Sequence, residues 1–167
     1  MAALDGSVGW NAMVASAHGF LAGRLPARAA REVFGDRRAV VAGQLEPGGT
    51  AEAVRGGYRV SGTGRFASGC RHATWLLARC VAAERARGHA GARPTTRLVF
   101  VPVDRARIHD TWRVSGLRGT VSHDYSLERV LRRFRDVHVA TQHVALAPRT
   151  LEVAGRVLLG LDPQGIF

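Results

Sequence analysis

Apolar side chains in the first part of the chain follow a helical period. Over residues 9–34 they recur at the spacing of one helix face, at Trp10, Met13, Val14, Ala17, Phe20 and Leu21. The pair Leu25-Pro26 interrupts this pattern, because proline cannot continue a helix interior and restricts the residue before it. Pro26 suits the first turn of a second short helix that ends near Gly35. The pattern therefore predicts a helical unit over residues 1–36.

From residue 37 onwards, short apolar runs separated by turn residues replace the helical period. The strand candidates are 39–42, 58–62, 74–81, 96–102 and 108–114. We predict a loop at Pro47-Gly48-Gly49-Thr50, a tight turn at Arg55-Gly56-Gly57 and a polar loop over 84–94. Several short strands at close spacing predict a small antiparallel β-barrel or β-sandwich over residues 37–126.

Beyond Tyr125 the apolar positions return to helical spacing. They are Leu127, Val130, Leu131, Phe134, Val137, Val139 and Val144, and after Pro148 they continue through Leu151, Val153, Ala154, Val157 and Leu158. Gly160 suits a helix C-cap, and Pro163 follows it. The spacing predicts one long C-terminal helix within residues 127–167. The predicted fold class is therefore α+β, with N-terminal helices, a small β-domain and a C-terminal helix.

The strong positive charge of the chain changes this picture little. The 167 residues suit one domain, or a small domain with an appendage, and the formal net charge is +11. All 24 basic residues are arginine, scattered from Arg24 to Arg156 without the interleaved aromatic residues of a nucleic-acid-binding surface. The use of arginine to the exclusion of lysine is typical of proteins encoded by GC-rich genomes. We therefore predict that the protein has no nucleic-acid partner. The alternative is a basic nucleic-acid-binding module, whose DNA binding would depend steeply on salt concentration.

Several familiar signals are missing from the sequence. No apolar run has the length of a membrane span, and the N-terminus lacks the basic and apolar regions of a signal peptide. We therefore expect a cytoplasmic protein without a membrane partner. Cys70 and Cys80 match no metal-site spacing and no disulfide framework, so we expect buried thiols and no metal. Residues 47–50 are no phosphate loop, since the chain contains no lysine.

Four blocks of sequence together resemble a known family. Residues 58–75 combine strand-like alternation, a polar turn and the run Phe66-Ala67-Ser68-Gly69-Cys70, and a second block is Thr111–Asp124 with Gly116-Leu117-Arg118-Gly119-Thr120-Val121-Ser122. The flanking blocks are Asp5–Trp10 with His18-Gly19 and Leu25-Pro26, and Phe134–His138 with Gln142-His143 and Glu152–Arg156. As a set they resemble the acyl-CoA dehydrogenase superfamily, most closely its branch of two-component, group D flavin-dependent monooxygenases.

The chain departs from this family pattern in two ways. Val121 stands where the family usually has glycine, so a positive φ at that position would be strained. The strand that normally follows the signature, and most of the C-terminal helices, are missing after Ser126. We therefore expect a truncated and internally deleted relative, and the sequence leaves open whether it keeps the family's activity.

The resemblance implies a reduced flavin, FMN or FAD, as the cofactor. It assigns cofactor contacts to Phe66, Ala67, Ser68, Gly69, Arg118 and Thr120, and it places the Ser68 hydroxyl near flavin N5. A flat, partly apolar ring with polar edges needs a closely approaching strand or loop and hydrogen bonds at its N5 edge. The alternative for Ser68 is a turn serine whose hydroxyl bonds nearby backbone.

The resemblance also implies that His18 and His143 act on a small aromatic substrate. An imidazole can take or share a phenol proton near neutral pH. The alternative for each is a helix-surface histidine or a hydrogen-bonded core histidine. Trp10 and Trp112 are expected in the core.

The expected activity follows from the same resemblance. It is the flavin-dependent hydroxylation of an aromatic or polyketide-like substrate, using O2 and reduced flavin from a separate flavin reductase. An acyl-CoA dehydrogenase is the second hypothesis, but its carboxylate base would lie in the missing region, and Glu152 fits a helix pattern instead. A non-catalytic remnant or interaction domain is the third. Because the apolar face of the terminal helix needs a partner, we expect a homo-oligomer.

Overall fold

The computed structural model describes residues 5–83 and 96–133 of the chain. Its helical elements are α1 (Gly6–Gly19), a 3-10 turn (Phe20–Arg24) and α2 (Ala27–Phe34). Asp5 caps α1, because its carboxylate accepts hydrogen bonds from the amides of Ser7 and Val8. Pro26 precedes α2 and Gly35 ends it, so the two predicted helices are confirmed. No helix in the described ranges is long and apolar enough to cross a membrane.

Six strands form one sheet among the described residues. They are β1 (Val41–Val54), β2 (Gly57–Ala67), β3 (Trp75–Ala83), β4 (Thr96–Pro102), β5 (Arg107–His109) and β6 (His123–Arg133). Their order across the sheet is β4-β3-β1-β2-β6-β5, with β1 parallel to β3 and the other neighbours antiparallel. The α+β class is confirmed, but the prediction of a wholly antiparallel β-domain is wrong. The described strands form an open mixed sheet.

The parallel pair arises from the turn after β2. The amides of Thr74 and Trp75 donate to the carbonyl of Val40, so β3 starts beside the start of β1. Two strands that start side by side at the same end of a sheet run in the same direction. Alternation of apolar residues predicts a strand but not the direction of its neighbour. The sequence pattern therefore did not predict the parallel pairing of β1 and β3.

β1 includes residues that the sequence predicted as a loop. Pro47 pairs with Arg79 and Gly49 pairs with Cys80, and the register shifts on both sides of Pro47. A bulge accommodates proline inside a strand, because the ladder there does not need the missing amide. The loop prediction for residues 47–50 is wrong for this reason. β5, in contrast, is much shorter than the strand predicted over 108–114.

β6 occupies the start of the predicted C-terminal helix. Leu127 pairs with Gly62 and Val130 pairs with Val60, and Leu127 is buried in the core. An irregularity of the register lies between these two pairs, and Arg129 has a φ of +52° there. Apolar spacing of three and four is therefore compatible with a bulged strand here, and the helix prediction is wrong for residues 127–133. The rest of that prediction, and the predicted loop over 84–94, fall outside the described residues.

Apolar clusters cover both faces of the sheet. One contains Val60, Leu76, Val99, Val101, Tyr125 and Leu127, and the other packs Val33 of α2 against Val41, Leu77, Leu98 and Phe100. Leu76 and Leu77 belong to different clusters because successive strand residues point to opposite faces. Cys70 and Cys80 are free and buried, as predicted, and burial raises the pKa of Cys80 to about 12.

Candidate functional site

The predicted cofactor motif spans the last two residues of β2 and the turn that follows it. Phe66 and Gly69 have positive φ angles of +54° and +77°, and the Ser68 amide donates to the Phe66 carbonyl at 2.8 Å. The Gly69 amide donates to the Thr120 carbonyl at 2.7 Å, which ties this turn to the 3-10 turn Arg118–Thr120. Glycine suits position 69 because residues with a side chain rarely adopt this backbone conformation.

A chain of hydroxyl groups starts at this turn and connects three segments. Trp10 Nε1 donates to Ser68 Oγ at 2.9 Å, and Ser68 Oγ lies 2.8 Å from Ser122 Oγ. Ser122 Oγ lies 2.7 Å from Thr120 Oγ1, which donates to the Leu117 carbonyl at 2.9 Å. All three hydroxyl residues are buried. The Ser68 side chain thus bonds other side chains, and the alternative of a serine bonded to local backbone is wrong.

Exposed aromatic and apolar side chains adjoin the ends of this chain. Phe66 is 59% exposed and Trp10 is 44% exposed, although the Trp10 indole nitrogen bonds Ser68. The ring of Phe66 meets that of Trp112 edge to face, with centroids 6.1 Å apart. Leu117 is also exposed, and its carbonyl accepts from the indole of Trp112 at 3.1 Å. The prediction of Trp10 in the core is wrong, because the ring lies at the surface while only its N–H reaches inward.

Two residues of the 117–122 segment have a left-handed backbone. Leu117 has a φ of +54° and Val121 a φ of +44°. A β-branched residue is strongly disfavoured in this region. The Val121 amide donates to the Arg118 carbonyl at 3.3 Å, and Cys70 Sγ donates to the Val121 carbonyl at 3.2 Å. Val121 thus has the positive φ that the sequence analysis expects to be strained for a valine, and these contacts hold the residue in that conformation.

The structure brings most of the predicted cofactor residues together. Phe66 and Ala67 end β2, Ser68 and Gly69 begin the turn, and Thr120 joins them through its carbonyl and, by way of Ser122, through its hydroxyl. Arg118 lies exposed on the adjacent 3-10 turn. The assignment of cofactor contacts to these residues stays a prediction, whereas their proximity is a property of the fold.

His18 lies two turns further along α1 than Trp10, about 12 Å along the axis. It is 5% exposed, and its Nδ1 donates to the Val41 carbonyl at 2.7 Å. Burial lowers the pKa of His18 below its ordinary value of 6.5, and the bond to Val41 opposes this effect. His18 is thus a hydrogen-bonded core histidine in this structure, and its substrate role stays a prediction. His143 lies outside the described residues.

Asn11 is a neighbour of the turn that sequence reasoning did not single out. Its Nδ2 donates to the Gly119 carbonyl at 3.3 Å, and its Oδ1 is buried without a hydrogen-bond partner in the described structure. A Cβ placed on Gly69 would lie 3.6 Å from this oxygen. A buried acceptor therefore stands beside the turn. No sequence signal marks it, because its position depends on how α1 docks.

A polar cluster braces the turn from β6. Arg71 Nε donates to His123 Nε2 at 2.9 Å, and the Arg71 guanidinium forms an ion pair with Asp110 at 3.3 Å. His123 is buried, and its Nδ1 lies 3.6 Å from Asp110 Oδ1. Within residues 5–83 and 96–133, no three potential metal ligands lie close enough together to hold an ion. The bond between Arg71 and His123 links the turn after β2 to the first residue of β6.

In fold, the chain is similar to solved flavin-dependent monooxygenases with an acyl-CoA dehydrogenase-like fold. It superimposes on the HsaA monooxygenase from M. tuberculosis with a TM-score of 0.70 and 28% identity, over 80% of this chain and 34% of that one. It matches XiaF from Streptomyces sp., solved in complex with FADH2 and glycerol, with a TM-score of 0.70 and 28% identity, over 80% of this chain and 33% of that one.

In sequence, the chain is 39% identical over 131 residues to the oxygenase component of FADH(2)-dependent resorcinol hydroxylase from Rhizobium sp., covering 78% of this chain and 31% of that protein. It is 34% identical to indole-3-acetate monooxygenase from Pseudomonas putida, over 76% of this chain and 31% of that protein. No protein-family model matches. The chain is thus homologous to the oxygenase components of two-component flavin-dependent monooxygenases and spans about a third of their length. The resemblance inferred from its motifs is confirmed.

Proposed function

We propose that this chain supplies the flavin-binding β-domain of a monooxygenase that hydroxylates an aromatic substrate with reduced flavin and O2. The observation that carries the proposal is the buried Ser68 hydroxyl, which accepts a hydrogen bond from the half-exposed Trp10 and follows the exposed Phe66 by two residues. Homology to oxygenase components supports the reaction class. It favours this class over the acyl-CoA dehydrogenase hypothesis, since the relatives described above are monooxygenases and hydroxylases by name.

The residues at the turn fit a flavin ring by their chemistry. Phe66 and Trp10 offer apolar faces to a flat heterocycle, and Gly69 leaves the turn open apart from the amide of Asn11. Asn11 Oδ1 has no partner in the described structure and is a ready acceptor for a ring N–H. When bound, the reduced flavin would supply the electrons that activate O2. The protein groups named here would orient its ring and exclude water from one of its edges.

The cofactor and partners of the relatives extend this proposal. The resorcinol hydroxylase is named FADH(2)-dependent and XiaF was solved with FADH2, which favours FAD over FMN. The term oxygenase component implies a separate reductase that delivers reduced flavin. Exposed Arg118 is our candidate for the flavin phosphate. Substrate contacts of His18 and His143, assembly as a homo-oligomer and a cytoplasmic location are further proposals from the sequence.

A binding experiment tests the proposal. The 167-residue chain is mixed under anaerobic conditions with FADH2, and separately with FAD and FMN, and bound flavin is measured by equilibrium dialysis. We expect FADH2 to bind, and Ser68→Ala to weaken binding about tenfold through loss of one hydrogen bond to the ring. Ser16→Ala is the matched control, since Ser16 is an exposed α1 residue whose hydroxyl donates to the Ala12 carbonyl. A folded chain that retains no flavin in any redox state would refute the proposal.

A further inference from the structure

We infer that Ser122 and Thr120 orient the Ser68 hydroxyl as a hydrogen-bond acceptor, and that the site thereby favours reduced flavin over oxidised flavin. This inference rests on the proposed function and assigns Ser122 and Thr120 as positioning residues. It follows from the directions of the hydrogen bonds in the hydroxyl chain.

The two ends of the hydroxyl chain determine the directions of its hydrogen bonds. An indole N–H can only donate, so Ser68 Oγ accepts from Trp10. A carbonyl can only accept, so the single hydroxyl hydrogen of Thr120 points to Leu117. The Leu117 carbonyl also accepts from the Trp112 indole and the Thr120 amide, at 3.1 Å each, and the Thr120 hydroxyl makes the shortest of the three contacts, at 2.9 Å.

The hydroxyl groups between these ends have no remaining choice. Because the hydrogen of Thr120 is used, Thr120 Oγ1 accepts from Ser122 at 2.7 Å. Because the hydrogen of Ser122 is then used, Ser122 Oγ accepts from Ser68 at 2.8 Å. Every hydrogen therefore points from Trp10 toward Leu117. A hydroxyl has one hydrogen and two lone pairs, so Ser68 has one lone pair left and no hydrogen left.

This direction has a chemical consequence for a flavin edge. Reduced flavin carries a hydrogen on N5 and can donate it, whereas N5 of oxidised flavin carries a lone pair and needs a donor. A Ser68 that can only accept complements the reduced form and opposes the oxidised form. Burial strengthens the effect, because Ser68 is 8% exposed, Ser122 3% and Thr120 1%, so solvent does not readily reorient them.

Two variants change the direction without touching Ser68. Ser122→Ala removes the acceptor of the Ser68 hydrogen, which then becomes free to donate. Thr120→Val removes the acceptor of Ser122, which can then donate to Ser68 and release the Ser68 hydrogen. Ser16→Ala is the control, because it removes an exposed hydroxyl that donates to the Ala12 carbonyl and lies outside the hydroxyl chain.

The measurement is the ratio of the dissociation constants for FAD and FADH2, determined anaerobically on the 167-residue chain and checked by the midpoint potential of the bound flavin. We expect the wild-type ratio to exceed one. It should fall about tenfold in Ser122→Ala and in Thr120→Val, as expected from about 1.4 kcal/mol for one exchanged hydrogen bond, and stay unchanged in Ser16→Ala.

The outcomes separate this inference from the proposed function. A wild-type ratio of one, or an unchanged ratio in both hydroxyl variants, would overturn the inference while flavin binding stands. Absence of any flavin binding would instead remove the proposed function. Folding is checked independently by the Trp10 indole N–H resonance in a ¹⁵N NMR spectrum, assigned by its loss in Trp10→Phe. A variant that keeps the wild-type chemical shift of this resonance retains the Trp10–Ser68 bond, and its ratio of dissociation constants then tests the inference.

Discussion

The indole nitrogen of Trp10 lies 2.9 Å from the Ser68 hydroxyl and donates to it, although 58 residues separate the two in sequence. This bond joins the N-terminal helix to the turn after β2. It places a half-exposed aromatic ring directly beside a buried polar group. The candidate site therefore depends on the docking of α1 against the sheet.

Ser68→Ala should lower the free energy of unfolding by about 2 kcal/mol, because the buried Ser122 hydroxyl loses its donor and the Trp10 indole loses its acceptor. Urea denaturation monitored by tryptophan fluorescence measures the change. Ser16→Ala, at an exposed position of α1, should change the free energy of unfolding by less than about 0.5 kcal/mol. Equal effects of the two substitutions would contradict the hydroxyl chain.

Val121→Gly should raise the free energy of unfolding by about 1 kcal/mol. The substitution removes a β-branched side chain from a backbone with a φ of +44°, and this relief exceeds the entropy that glycine adds to the unfolded chain. Thermal unfolding followed by circular dichroism is the measurement. Val114→Gly is the control, since Val114 has no positive φ and should lose stability. A destabilised Val121→Gly protein would mean that the left-handed conformation carries no strain.

Gly64→Ala should destabilise the fold by about 3 kcal/mol, because a Cβ at this position would overlap the ring of Tyr125. Tyr125 is buried and its hydroxyl donates to the Leu77 carbonyl at 3.0 Å, so the ring cannot move aside freely. Gly116→Ala should be tolerated, because no atom lies within 4 Å of its added methyl group.

A double-mutant cycle sharpens this test of the Gly64–Tyr125 contact. In the Tyr125→Leu background the smaller side chain leaves room, and Gly64→Ala should then be much less harmful. Additive effects of the two substitutions, measured by chemical denaturation, would show that they do not share one space.

The free energy of unfolding should decrease as the pH is lowered below about 6.5, because of His18. Burial lowers its pKa in the folded state, so in that range the unfolded chain binds more protons than the folded chain. The free energy of unfolding therefore rises with pH through this range, and the stabilising contribution of neutral His18 is lost as the pH falls. His18→Gln should flatten the profile below about pH 6.5, as followed by urea midpoints.

The control for this pH profile is His72→Gln, since the His72 side chain is exposed and the substitution should keep the wild-type pH profile. If His18→Gln retained the full pH dependence, the burial of His18 would not be its cause.

Local sequence patterns identified much of this protein correctly. The helix break at Pro26, the tight turn before Gly57 and the strand at Thr96–Pro102 all depend on neighbouring residues, and all were confirmed. The same holds for the Phe66–Gly69 motif, whose residue types led to the family that homology supports. The unusual backbone at Val121 could also be expected from the sequence, because valine stands there where the resembling family usually has glycine.

Only the tertiary structure decided how these segments meet. The start of the predicted C-terminal helix is strand β6, because pairing with β2 and burial of Leu127 outweigh a weak helical spacing. Trp10 lies at the surface rather than in the core, because Ser68 binds its N–H. The parallel partner of β1, the orphaned Asn11 oxygen and the direction of the hydroxyl chain depend on contacts between residues far apart in sequence, and residue periodicity carries no information about those contacts.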